Sequence, residues 1–149
     1  MTEPLQFLTS LDCAASHAFN VFTQKINVWW PPGHRRFEGS ELFLEPKIGG
    51  QFFERAQDGT VAILGAVFEC APPDRICFTW NPGKISGPTR VTVSFTQEGS
   101  RTQVAVLHEE GDADLGAHWE TRAALFKKGW NTVLPALQTY IQKSSNGKG

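Results

Sequence analysis

The stretch that decides the fold is WETRAALFKKGWNTVLPALQTYI, residues 119–141. Trp119, Ala123, Phe126, Trp130, Val133, Leu134, Leu137 and Ile141 recur mostly at steps of three and four. At about 3.6 residues per turn they form one stripe along a single long helix. Lys127, Lys128, Asn131 and Gln138 fall outside that stripe. Pro135 interrupts the pattern but sits away from the apolar face, so it is expected to kink the helix rather than end it. At ~1.5 Å per residue such a helix can cross a whole sheet. The polar tail from Ser144 to Gly149 is expected to be disordered.

Upstream the period changes from helical to alternating. Pro4 to Leu11 reads as a first strand, with Leu5, Phe7 and Leu11 apolar. Ser16 is a candidate N-cap for a helix to about Lys25, which carries Ala18, Phe19 and Phe22 on one side. Ile26 to Trp30 reads as a second short helix. Pro31 and Pro32 end it, because the residue before a proline is pushed out of the helical region. Strands are then expected at Leu42–Glu45, Gln51–Arg55, Val61–Cys70, Arg75–Trp80, Thr89–Gln97 and Thr102–Glu110. Gln57-Asp58-Gly59-Thr60 is a strong hairpin signal. Gly65 marks a bulge or a close approach of backbones. The order is strand, two short helices, six antiparallel strands and a long helix, an α+β design in which a curved sheet can grip the helix.

Composition narrows the function classes. The chain has 149 residues, which suits one domain over 1–149. A formal net charge of −1 gives no global electrostatic case for nucleic acid or an acidic membrane. The N-terminus has no basic region of the kind that opens a signal peptide, and no apolar run approaches the ~20 residues needed to span a bilayer. Cys13, Cys70 and Cys77 are odd in number and lack CxxC spacing, as expected of reduced thiols in a cytoplasmic protein.

No catalytic or metal constellation stands out. The histidines are His17, His34, His108 and His118. His108-Glu109-Glu110-Gly111-Asp112 begins like a zinc-binding HExxH run but has Asp112 where the second histidine belongs. Cys70 and Cys77 read as buried, inert thiols, since a reactive thiolate needs access and a positive neighbour. There is no Gly-x-Ser-x-Gly elbow and no phosphate loop. The acidic group Glu109, Glu110, Asp112 and Asp114 suits the N-terminal end of the long helix. His34-Arg35-Arg36 reads as a solvated loop, with an anion or partner contact as its functional alternative.

Several segments resemble a known family: Trp29-Trp30, Glu45-Pro46-Lys47-Ile48-Gly49-Gly50-Gln51-Phe52, Gly65 to Trp80, and Gly129-Trp130-Asn131-Thr132-Val133-Leu134-Pro135-Ala136-Leu137. In that order they are similar to the activator of heat-shock-protein-90 ATPase homologue-like family, within the START-like (SRPBCC) superfamily. The resemblance covers about Leu5 to Ile141. It implies a helix-grip fold, a curved antiparallel sheet wrapped around a long C-terminal helix, with two short helices after the first strand. It also implies a deep hydrophobic pocket. The family's eukaryotic co-chaperones carry an extra N-terminal domain, which a chain of this length is not expected to hold.

The expected function is therefore binding of a small hydrophobic or aromatic ligand between sheet and C-terminal helix, with no cofactor and no metal. The alternatives are an interaction module that regulates a chaperone ATPase and, behind it, a cyclase- or hydrolase-like enzyme using His108 or Glu110 as acid or base. In the interaction reading, Pro31 to Arg36 and Asn81 to Pro88 would carry the contacts. The candidate ligand contacts are Trp30, Phe53, Trp80, Phe95, His108, Trp119 and Phe126. Trp29 is expected to anchor the Trp-Trp-Pro-Pro corner while Trp30 rims the pocket, and Trp130 is read as core. Bulges can shift strand alternation and with it the face a residue occupies. The expected assembly is a monomer or homodimer.

Overall fold

The computed structural model describes residues 4–80, 89–110 and 119–146. The chain runs β1 (Leu5–Leu11), α1 (Ala15–Gln24), α2 (Ile26–Trp29), a 3-10 turn at Pro32–His34, β2 (Glu41–Leu44), β3 (Gln51–Arg55), β4 (Val61–Ala71), β5 (Arg75–Trp80), β6 (Thr89–Glu98), β7 (Arg101–Glu109) and α3 (Trp119–Asn146). The α+β helix-grip order read from the sequence is the order observed. No described helix is long and apolar enough to cross a membrane.

The strands form one antiparallel sheet in the order β1-β7-β6-β5-β4-β3-β2. Strands β2 to β7 follow one another as neighbours, and β1 returns to flank β7, pairing Leu5 with His108 and Leu11 with Thr102. Two register shifts curl the sheet into a half-barrel. Opposite β3, Phe52 pairs with Gly65 and Phe53 with Ile63, so Leu64 is the extra residue. Opposite β5, Val67 pairs with Phe78 and Glu69 with Cys77, so Phe68 is the extra residue. Each bulge bends its strand and increases the local twist. Gly65 is the close approach expected there: a Cβ on it would lie 1.7 Å from the Thr79 carbonyl oxygen.

On β6 and β7 the alternation is uninterrupted. Thr89, Val91, Val93 and Phe95 point into the core, as do Thr102, Val104, Val106 and His108. That parity, rather than any local feature of its own, is what buries His108. Its neighbour Glu109 takes the other face, so the HExxH-like run is split across the sheet.

Local structure departs from the sequence reading at two points. Helix α1 begins at Ala15 with Ala14 at the N-cap, not Ser16. The first helical N–H is accepted by the Gln97 side-chain oxygen at 2.7 Å, so β6 supplies the cap that Ser16 was expected to give. Arg35 is not a solvated loop residue. Its guanidinium donates to the carbonyls of Asn27 (2.6 Å), Trp30 (2.9 Å) and Ser40 (2.7 Å) and to Asn27 Oδ1 (2.7 Å). It thereby satisfies the orphan carbonyls at the end of α2. Helix α3 runs to Asn146, and residues 147–149 lie outside the described residues.

Helix α3 has 28 residues, about 42 Å at the usual rise. Trp130, Val133, Leu134, Leu137 and Ile141 are buried, and Pro135 is exposed on the opposite side, as its place off the stripe requires. The helix lies along β1, where Phe7 meets Trp130 and Gln138 donates to the Ser10 carbonyl at 3.1 Å.

Candidate functional site

The corner after α2 places the first wall. Trp30 leaves the helix with extended backbone before Pro31. Both indoles of the corner are buried and both N–H groups are satisfied. Trp29 donates to the Val21 carbonyl at 2.8 Å, and Trp30 to the His34 carbonyl at 3.1 Å. Glu54 locks the following loop from below. Its buried carboxylate accepts from the Arg36 N–H (3.0 Å), the Phe37 N–H (2.7 Å) and the Ser40 hydroxyl (2.6 Å). Trp29 packs toward α1 against Phe22, whereas Trp30 faces Trp80 and Trp130, each at 6.3 Å between ring centroids.

A pocket of about 160 Å³ opens at that meeting point. Trp30 and His34 line it from the corner, Trp80 from the end of β5, and Leu125, Phe126, Gly129, Trp130 and Val133 from α3. Among the described residues the space below is occupied by Phe52, which packs on Trp30 at 5.7 Å, on Trp80 at 5.2 Å and on Phe78 at 5.5 Å. Two broader, shallower grooves of about 440 Å³ lie elsewhere, one along β2 and one between α2 and α3. They lack this convergence of aromatic rings.

His108 sits one layer behind the pocket. Its ring stacks on Phe126 at 4.3 Å, and its Nδ1 accepts the Trp130 indole N–H at 3.0 Å. An indole nitrogen can only donate, so Nδ1 must be unprotonated. Nε2 then carries the proton and donates to the Thr89 hydroxyl at 2.8 Å, which in turn donates to the Trp80 carbonyl at 2.9 Å. A relay thus runs from α3 to the end of β5 and ties two pocket walls together. Burial pushes the His108 pKa down to about 4. Protonation would also turn an N–H against the Trp130 N–H. The Cys13, Cys70 and Cys77 thiols are likewise pushed up by burial, chiefly through desolvation.

Of the residues singled out in the sequence, Trp30, Trp80 and Phe126 are brought together at the pocket, with His108 behind them. Phe53 is elsewhere, stacked on Phe43 at 4.8 Å on the outer face of the sheet. Phe95 faces inward but packs beneath α1, against Phe19 at 5.5 Å and Phe22 at 5.8 Å. Trp119 opens α3, and its side chain lies outside the described residues, as do Asn81 to Pro88 and the acidic residues Asp112 and Asp114. Sequence reasoning missed His34, Leu125, Gly129 and Val133 as lining residues and gave Trp130 to the core alone. The i, i+4 spacing of Leu125, Gly129 and Val133 was the available signal.

The comparisons with known proteins follow the same outline. The family model for Activator of Hsp90 ATPase homolog 1-like protein matches residues 12–142. Among solved structures, a protein from Nitrosomonas europaea superposes with a TM-score of 0.67 at 14% identity, over 96% of each chain. DynU16, from the dynemicin biosynthetic locus, has a TM-score of 0.71 at 16% identity; the match covers 97% of this chain and 49% of that one. These two likenesses concern the fold. Txn09, an anthrahydroquino-γ-pyrone synthase, is 28% identical with a TM-score of 0.53, over 78% of this chain and 85% of that one. No curated protein matches the chain.

Proposed function

Since this chain belongs to the Activator of Hsp90 ATPase homolog 1-like family, within the START-like superfamily, we propose that it binds a small aromatic molecule in the pocket between the Trp30 corner, Trp80 and α3. The observation that carries this reading is the convergence of Trp30, Trp80, Phe126 and Trp130 on one apolar pocket of about 160 Å³. An apolar cavity of roughly 150 Å³ accepts a benzene-sized ring. Ligand sites more often measure ~300–1,000 Å³, so one ring enters and the rest of a larger ligand lies across the mouth. The 28% identity to a synthase of a fused-ring product supports an aromatic rather than a fatty ligand.

Binding is favoured over acid–base chemistry by the lining itself. Among the described lining residues, His34 carries the one titratable side chain. His108 has both ring nitrogens committed to Trp130 and Thr89 and is fully buried. A chaperone-regulating role draws no comparable support, since Arg35 of the basic loop is turned onto internal carbonyls. A cytoplasmic setting is part of the proposal and rests on the three unpaired thiols.

Isothermal titration with phenol and 1-naphthol tests the reading. Saturable one-to-one binding is expected, weakened roughly tenfold by Trp80→Ala because a stacked aromatic partner is lost. Absence of saturable heat with wild-type protein would sink the idea.

A further inference from the structure

We infer that Gly129 sets the width of aromatic ring the pocket admits, an inference that rests on the ligand-binding reading above. Glycine is worse in a helix interior than every residue except proline, because it loses the most backbone freedom on ordering. Gly129 nevertheless lies well inside α3. Neither ordinary structural reason for a glycine holds there. It is not among the left-handed glycines, which are Gly39, Gly49, Gly59 and Gly99. Nor does any neighbour crowd it: a Cβ at Gly129 would meet no described atom within 4 Å, in contrast to Gly65 with its 1.7 Å approach to Thr79.

What Gly129 has is position. Leu125, Gly129 and Val133 form one i, i+4 row on the helix, and all three line the pocket that holds the indoles of Trp30 and Trp80. Removing the middle side chain of that row leaves a notch over bare helix backbone. A planar ring lying against the indoles can push its edge into that notch. A Cβ at 129 would enter that space without meeting a described atom within 4 Å, so the first carbon added there acts on the ligand and not on the fold. The ligand class this selects is a fused planar aromatic, wider than a single ring.

The test is calorimetric titration of wild type, Gly129→Ala and Gly129→Leu with phenol and with 1-naphthol, alongside melting curves. Wild type is expected to bind both probes. Gly129→Ala is expected to keep phenol affinity and lose about tenfold for 1-naphthol, the scale of a methylene-sized misfit in an apolar pocket. Gly129→Leu is expected to lose both, and Gly129→Ala to melt higher than wild type. Equal 1-naphthol affinity in wild type and Gly129→Leu overturns this inference alone. So does a lowered melting temperature for Gly129→Ala, which would show that the fold itself requires the glycine. Wild-type protein that binds neither probe overturns the ligand-binding reading and this inference together.

Discussion

The Trp130 indole donates to His108 Nδ1 at 3.0 Å, and that single contact fixes the tautomer of a fully buried imidazole. The long helix and the last strand are thereby joined through a polar pair inside an apolar core. The pair holds Trp130, a pocket wall, in one orientation. Its consequences can be measured.

Stability should fall as the medium is acidified. The His108 pKa is lowered in the folded state from 6.5 to about 4. Below pH ~6.5 the unfolded chain binds a proton that the folded chain refuses, so the contribution is fully present above that value. It is lost progressively down to about pH 4 and is constant below. The loss is on the order of 3 kcal/mol. Urea denaturation at pH 7 and pH 4.5 should show it. In His108→Gln the amide keeps an acceptor for Trp130 and a donor for Thr89 but does not titrate, so the difference between the two pH values should shrink.

Trp130→Phe keeps most of the ring and removes the indole N–H. The buried Nδ1 of His108 is left without its donor, at a cost of about 1–3 kcal/mol. The histidine should also titrate at higher pH in this variant, because the opposing N–H is gone. A proton NMR titration of the imidazole would show whether it does.

Glu54→Gln should loosen the corner that carries Trp30 and His34. Three donors converge on the Glu54 carboxylate, and an amide would present one of its own N–H groups to them. A loss of about 1–3 kcal/mol by chemical denaturation is expected. An unchanged midpoint would mean that the loop does not depend on this carboxylate.

Two glycine-to-alanine substitutions should have opposite signs. Gly65→Ala forces a Cβ into the Thr79 carbonyl and should prevent native folding or greatly lower the melting temperature. Gly129→Ala meets open space in a helix interior and should stabilise by roughly 0.5–1 kcal/mol. Thermal melts of the two purified variants compare them directly.

How much of this was legible in the sequence depended on whether a local period or a distant partner set the outcome. The stripe on α3 is local, and its residues from Phe126 to Ile141 pack on the core as expected. The choice between Phe52 and Phe53 is not: β3 alternates regularly, with Phe52 and Glu54 inward and Phe53 out against Phe43, and which parity faces the core is set by how the strand sits in the sheet. Phe95 has the inward parity, but α1 covers its part of the sheet, and only the packing of that helix decides this. The cap of α1 comes from Gln97, 82 residues away, so Ser16 was a reasonable choice with the wrong partner available. Arg35 looked like solvent-facing charge, although the carbonyls it satisfies lie within eight residues, because only the turn of the chain after α2 brings them onto its guanidinium. Gly129 was visible as a glycine inside a helical stripe; its meaning required the neighbouring pocket.

The most direct measurement is a 1-naphthol titration of protein carrying ¹⁵N-labelled tryptophan, with the indole signals assigned by Trp→Phe variants. The indoles of Trp30, Trp80 and Trp130 should move together along one saturable curve, while that of Trp29, bonded to Val21 under α1, should move least. Indole signals that stay fixed at saturating naphthol, or a response centred on Trp29, would contradict the pocket as the binding site.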